Sequence, residues 1–461
     1  MPDRMASLFI AVALCCALLP TAARGADAPA GSVIYIAETG HNLGAGFRTY
    51  AAEHGGLLVF GYPITEVLRE GDARVQYFER ARIELRSHGV SLGRIGAELV
   101  AGREGEEPFR WIGRDPGGAR RYYAASGHTL GGRFADYWDA HGGLGLFGYP
   151  ISEEFGERDA AGTERTVQYF ERARFEWHPD IGPTGTVLQG LIGAELVARR
   201  SDAARITAPA PPLALLGSAT TIFRTSAAER RFNIERATTM FDGLIVDPGA
   251  EFSFLANGDF SDQAGFVEGY GIVGGRLERV VGGGLCQVST TMFRAVSNAG
   301  LQVTRRVPHS YIVYFYENIL GFDATVYSPG VDFRWVNDMR TPVFIVARTN
   351  AAQYAVTFEV WGTDDGRRVT YHGPEVSNVV EPGVAVWQYD PRLPAGATRQ
   401  LVHGRQGMTV RYQRSVTHAD GTVGETEYRT RYQPWDDFFT YGPGVTPPAG
   451  VAVVMSPVAV P

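Results

Sequence analysis

Cys286, His309 and Asp323 are the residues of this chain whose types and order suit acyl transfer through a thiol. Cys286 closes a glycine run in the string Val281-Gly282-Gly283-Gly284-Leu285-Cys286-Gln287-Val288-Ser289-Thr290-Thr291. His309 follows 23 residues later in Pro308-His309-Ser310-Tyr311, and Asp323 comes 14 residues after that in Phe322-Asp323-Ala324-Thr325-Val326. A thiolate beside an imidazolium, oriented by a carboxylate, attacks an amide carbonyl and forms a thioester. Asp332 is a second candidate for the acid, because spacing alone leaves the strand register open. Gly283, Gly284, Gln287, Ser289 and Thr290 are the candidates for thiol-loop or oxyanion support.

These residues need a helix and extended chain to bring them together. Val288, Met292, Ala295, Val296 and Ala299 recur on one helical face, and Gly300 stands where a left-handed C-terminal residue belongs. The expected helix therefore runs from Cys286 to Ala299. Its first turn holds the thiol among N–H groups without intrahelical partners, at the dipole end that favours a thiolate. His309 and Asp323 are each expected to begin a strand. Cysteine on a helix, then histidine and an acid on neighbouring strands, resembles the order in papain-like, NlpC-type and transglutaminase-type folds. A second reading stays open at this stage. Cysteine is among the most buried residue types, and one behind three glycines also fits a tight helix–sheet contact, with His309 bonded to a carbonyl and Asp323 capping a turn. Metal binding lacks support, since no CxxC or HExxH spacing accompanies Cys286. No cofactor is implied either: the glycine strings contain neither GxGxxG nor GxxxxGK[ST].

Cysteine usage points to export. Cys15 and Cys16 lie in the apolar run Leu8 to Leu19, behind Arg4 and ahead of small residues around Ala22, Ala23 and Gly25, which reads as a signal peptide over residues 1–26. Leucine before the cysteine pair argues against lipidation, and twelve apolar residues are short for a bilayer. Processing there leaves Cys286 as the one thiol, without a disulfide partner, in an oxidising compartment. Of 461 residues, 44% are hydrophobic and 20% charged, as in soluble globular chains. The net charge of −7 gives no global field for nucleic acid. With 57 glycines and 26 prolines, short strands and tight turns are favoured over long helices.

The first exported segment is a duplication. Gly61-Tyr62-Pro63 recurs as Gly148-Tyr149-Pro150 at an offset of 87, and Val75 to Arg82 recurs as Val167 to Arg174 at 92. Ile95 to Leu99 recurs as Ile192 to Leu196 at 97, so two loops of the second copy are longer by five residues each. Phe47 to His54 and Phe134 to His141 read as short helices ended by paired glycines, while Val-Gln-Tyr-Phe alternates as a strand. "GGLGLFGYPISEE" and "VQYFERARFEWHP" resemble the LGFP repeats of actinobacterial envelope proteins, which implies attachment to the cell wall. The aromatics are expected mainly as a repeat core; Tyr62, Tyr149, Trp138 and Trp177 are the alternative ligand contacts.

The segment from about Leu216 to Thr349 resembles the VanW family, named after an accessory protein of vancomycin-resistance clusters. The resemblance rests on the glycine–cysteine–Ser-Thr-Thr string, Asn233-Ile234, Asp247-Pro248-Gly249, Phe252-Ser253-Phe254, the His309 and Asp323 strings and Trp335-Val336-Asn337. Glu317-Asn318-Ile319-Leu320 departs from it, standing where the family has a proline–glycine turn. From Val379 to Gly442 the chain alternates in strand fashion and resembles the G-five domain, with Gly396, Gly404, Gly407, Gly421 and Gly442 as turn candidates; that likeness implies a link to envelope glycan.

The expected fold class is multi-domain, β-rich α+β, with a cysteine-bearing helix against antiparallel strands. Its parts are a signal peptide over 1–26, repeats over 27–110 and 111–204, and a proline-rich linker over 205–217. A VanW-like domain over 218–362, a G-five-like domain over 363–443 and a proline-rich tail over 444–461 follow. Three functions fit: an exported peptidoglycan-associated cysteine amidase, peptidase or transpeptidase; a non-catalytic protein binding cell-wall glycan or peptide; or a vancomycin-resistance accessory protein. The expected partner is peptidoglycan or another wall polymer, with no nucleic acid and no membrane beyond the signal peptide.

Overall fold

The computed structural model describes residues 33–86, 89–159, 162–273 and 276–455. The expected signal peptide, with Cys15 and Cys16, lies outside the described residues, as do residues 456–461 of the expected tail. Among the described residues no helix is long and apolar enough to cross a membrane.

Both N-terminal copies fold alike, because the same alternation and turn signals recur in each. A two-stranded ribbon leads into a nine-residue helix (Ala45–Glu53 and Gly132–Ala140), a five-residue helix and a four-stranded antiparallel sheet. The first helix of each copy stops before a glycine in the left-handed region, Gly55 at φ 102° and Gly142 at φ 112°. Phe47, Phe60 and Phe78 of one copy and Phe134, Phe147, Phe170 and Phe175 of the other belong to a single buried cluster, so most repeat aromatics are core. Trp138 Nε1 donates to Gly148 O at 3.1 Å, and Arg133 stacks over Trp177 at 3.7 Å from its centroid.

The closing helices are exchanged. Ile95–Leu99 of the first copy docks on the second, where Ala97 N donates to Glu171 O at 3.1 Å. Ile192–Ala198 of the second docks on the first, where Ala194 N donates to Glu79 O, also at 3.1 Å. Gly96 and Gly193 permit these approaches: a Cβ on Gly193 would collide with Phe78 O, and one on Gly96 with Phe170 O.

The expected linker is not a free spacer. Ala203–Ile206 is helical, Ala210 N donates to Gly40 O at 2.9 Å, and Asn42 holds both Pro211 O and Leu213 N at 2.9 Å. The next strand already begins at Ala214. Proline removes ladder donors but leaves carbonyls for another segment to use, and Asn42 uses them.

In the cysteine-bearing domain, β1 (Ala214–Ile222) precedes helix α1 (Ala228–Phe241). A hairpin of β2 (Glu268–Val273) and β3 (Arg276–Val281) leads to helix α2 (Leu285–Asn298). Then come β4 (Gln302–Arg305), β5 (Arg334–Val336), β6 (Val343–Asn350) and β7 (Ala355–Gly362). An antiparallel sheet orders β1, β7, β6 and Ile245–Val246, and α2 lies against β1 and β7. This is the expected α+β core, and α2 spans the expected helix to within a residue at each end.

One expectation about this core needs correction. The apolar face read from the sequence is buried, and Ser289, Thr290, Phe293, Arg294 and Ser297 of α2 are buried along with Val288, Met292, Ala295 and Val296. The cover is a second sheet of β8 (Arg368–Val380), β9 (Gly407–Thr417) and β10 (Val423–Tyr432). Tyr412, Tyr428 and Tyr432 of that sheet join the same buried cluster as α2, and Arg414 donates to Leu301 O at 3.0 Å. The boundary expected between 362 and 363 therefore divides no core. The expected tail also contributes structure, because Ala452–Val454 pairs in parallel with Val386–Tyr389.

Candidate active site

The thiol is placed by a turn that only small residues can form. Gly284 caps α2 at φ 116°, in the left-handed region, and Gln287 N donates to its carbonyl at 3.0 Å. Gly283 lies against the backbone of Gly269 in the β2–β3 hairpin; a Cβ there would stand 2.5 Å from Gly269 O. Buried Asn233 on α1 locks this crossing, donating to Gly283 O at 3.0 Å and Val267 O at 2.8 Å and accepting from Val267 N at 3.0 Å. Cys286 follows in the first turn of α2, half-buried, its Sγ 3.4 Å from Val326 O.

His309 and Asp323 reach the thiol from irregular chain, not from strands. Pro308 has no N–H to give a ladder, and β4 ends at Arg305. One backbone bond, Thr325 N to Val307 O at 2.7 Å, keeps the two segments side by side. Asp323 Oδ2 accepts from the His309 backbone N at 2.9 Å and also from the imidazole Nδ1. That leaves Nε2 for Cys286, with which His309 makes a side-chain hydrogen bond. His309 is 8% exposed and Asp323 2%.

The charges of this cluster reinforce one another. Burial pushes the Cys286 thiol up, but hydrogen bonding and charge from His309, with the Arg230 charge nearby, carry it below its ordinary value. Burial works against a charged His309, yet Asp323 and Cys286 raise it to about 10. Burial likewise opposes ionised Asp323, while His309 and Arg306 lower it to about 2. The three shifts thus act together in favour of a thiolate–imidazolium–carboxylate array.

The remaining candidates divide clearly. Ser289 Oγ donates to Ala324 O at 2.7 Å, and Thr290 Oγ1 both donates to that oxygen and accepts from Ala324 N at 3.1 Å. They pin α2 beside Asp323. Gln287 does not face the thiol; its Nε2 donates to Thr221 Oγ1 at 3.0 Å inside the helix–sheet interface. Asp332 is not the acid. It accepts from Ser253 Oγ at 2.7 Å, Leu255 N at 3.0 Å and Arg334 Nε at 2.7 Å, so it organises a turn.

At the departure noted in the sequence, Tyr314–Ile319 forms a 3-10 helix. Buried Arg294 on α2 ties it down, donating to Asn318 Oδ1 at 3.2 Å, Ile319 O at 3.2 Å and Phe322 O at 2.8 Å. Arg294→Met strips these acceptors of a buried donor and should cost roughly 2–4 kcal/mol in chemical denaturation. A loss below about 0.5 kcal/mol would show that the tether is dispensable.

Sequence reasoning missed Arg306 and Tyr432. Arg306 is held among Asp323 O at 2.6 Å, Gly321 O at 2.7 Å and Thr430 Oγ1 at 2.8 Å. Tyr432 OH donates to Asp323 Oδ1 at 3.0 Å across 109 residues of sequence. No local motif signals such a contact.

Residues 229–361 match the family model described as "VanW like protein". The chain is 37% identical over 143 residues to the uncharacterized protein YoaR of Bacillus subtilis, covering 31% of this chain and 46% of that one. It is 26% identical over 142 residues to the vancomycin B-type resistance protein VanW of Enterococcus faecalis, covering 30% and 46%. The chain thus spans about half the length of these relatives. Among solved structures, that of HP0197-G5 aligns at 19% identity over 16% of this chain and 97% of its own, with a TM-score of 0.09, too low to carry an argument.

Proposed function

We propose that the VanW-like segment is a cysteine acyl-transfer centre acting on amide bonds of cell-wall peptides. The observation that carries this reading is the continuous hydrogen-bonded path Cys286–His309–Asp323, beginning in the first turn of a helix. The Cys286 thiolate attacks the amide carbonyl, and charge develops on its oxygen at the positive end of the α2 dipole. His309 gives its proton to the departing amine as the C–N bond breaks, leaving a thioester. Water or a second amine then attacks the thioester while His309 takes back a proton, and the thiolate leaves. Asp323 keeps the proton of the neutral imidazole on Nδ1, so that Nε2 faces the thiol throughout.

Export through the N-terminal segment and wall contact by the repeats would bring this centre to peptidoglycan. An accessory role in vancomycin resistance is a narrower version, suggested by the name of one relative. The test is incubation of the full chain with muropeptides, read by mass spectrometry. Trimmed or cross-linked stem peptides are expected, with Cys286→Ala lowering the rate roughly a thousandfold or more. Equal product from that variant would end the proposal.

A second reading, wall binding without catalysis, is favoured by a cleft between the two repeats. Its volume is about 480 Å³, and its lining includes Tyr50, His54, Leu58 and His141. Sedimentation with purified sacculi separates the readings: retention with an inert thiol supports binding alone.

A further inference from the structure

We propose that Tyr432 is a positioning residue of the Cys286 site, so that the C-terminal sheet is a working part of that site and not an attached module. This rests on the acyl-transfer reading. Tyr432 ends β10, beyond the segment matched by the family model. Its hydroxyl donates to Asp323 Oδ1 at 3.0 Å and accepts from Gly321 N at 2.9 Å. Asp323 Oδ2 is already committed to His309, through both the backbone N and Nδ1. With Tyr432 holding the other oxygen, rotation of the carboxylate about its Cβ–Cγ bond must break a hydrogen bond at each end.

The same strand fixes the surroundings of both partners. Thr430 Oγ1 donates to Gly321 O at 2.8 Å and accepts from Arg306, whose guanidinium lies 3.7 Å from Asp323 Oδ1. One residue past β10, Gln433 N donates to Ser310 O at 2.7 Å, next to His309. The Tyr311 ring packs on Trp435 at 4.7 Å. One side of β10 and its extension thus contacts the chain next to the acid and the chain next to the base. A sheet that only covered α2 would need tyrosine rings at these positions, not a hydroxyl aimed at a buried carboxylate.

The experiment is a double-mutant cycle in the full chain, reading the rate of Cys286 alkylation at pH 6.5. Tyr432→Phe keeps the ring and removes the hydroxyl. Acting through Asp323, it should slow alkylation about tenfold in the wild-type background and less than about twofold alongside Asp323→Asn. The same factor in both backgrounds would make Tyr432 a packing residue and overturn the proposal. A second readout needs neither a reactive thiol nor a foldable double variant: the downfield proton resonance of His309 Nδ1–H. Tyr432→Phe should shift it or bring it into exchange with water, and an unmoved resonance would refute the positioning role. An unreactive wild-type thiol would defeat the acyl-transfer reading, while the resonance still decides whether Tyr432 holds Asp323.

Discussion

Iodoacetamide should alkylate Cys286 in the folded protein at pH 6, and His309→Ala should lose most of that reactivity. An ordinary thiol with a pKa of about 8.5 is well under 1% ionised at pH 6. Cys286 is shifted below its ordinary value by His309, so most of its advantage at pH 6 is thiolate population. A low-pKa thiolate is intrinsically a weaker nucleophile, which returns part of that gain; the net loss in His309→Ala should be roughly tenfold to a hundredfold at pH 6. The sign follows from the two shifts. The thiol loses its proton earlier than usual and His309 keeps its own up to about 10, so the ion pair occupies the window between them. Alkylation should therefore rise once, early, and stay level through neutral pH. Acyl transfer should also fall towards pH 10, where the imidazolium proton needed by the leaving amine is lost. Rates measured from pH 4.5 to 10.5 check both limbs. A midpoint near 8.5 in wild type, unchanged in His309→Ala, would mean that the thiol is merely packed.

Gly283→Ala should be among the most damaging single methyls in the cysteine-bearing domain. Its Cβ would stand 2.5 Å from Gly269 O and nearer still to the carbonyl carbon, backbone against backbone, with no side chain able to swing aside. Relief requires the β2–β3 hairpin to move off the start of α2, which breaks the Asn233 clamp on Gly283 O and Val267. A loss of about 3 kcal/mol is expected. For a domain of this size that corresponds to a midpoint lowered by roughly 6–12 °C. Gly284→Ala is the control. It suffers from φ 116°, but its nearest neighbours, Arg230 Cγ and Ile234 Cγ1 at 3.0 Å and Arg230 O at 3.1 Å, stand farther off than those at Gly283, so about 1–2 kcal/mol should suffice. Scanning calorimetry of the two variants decides the order. Similar melting of Gly283→Ala and wild type would remove the close crossing as the reason for glycine there.

What could be read in advance was whatever the chain encodes locally. The glycine run, the helical spacing from Val288 to Ala299 and Gly300 mark α2 within a few turns of sequence. The Val-Gln-Tyr-Phe repeats mark their own strands in the same way. Register across distant segments is not local. Spacing offers Asp323 as the acid and Asp332 as its alternative, and only the pairing of Thr325 with Val307 places one beside His309 and the other beside Ser253. His309 and Asp323 read as the starts of strands, but Pro308 has no N–H to give a ladder. The far cover of α2 was hidden for a different reason. That side carries Ser289, Thr290 and Arg294, which satisfy carbonyls of the 318–324 stretch, and Tyr428 packs on Phe293 at 5.3 Å. Tyr432 belongs to a segment that its strand-like alternation and G-five likeness set apart as another domain, so its hydroxyl could not be assigned to Asp323.

The exchanged closing helices of the two N-terminal copies also fix how many copies can be joined. Each copy offers one seat and one helix, and each helix is spent on the other's seat. Two copies saturate each other; a third added in tandem would have an empty seat and an unhoused apolar helix. A chain carrying one copy would have to satisfy itself with a second molecule, as a two-fold dimer whose population falls on dilution. Joining the copies in one chain makes the same closure independent of concentration. The duplication thus works as a tethered dimer in which both closing helices are housed.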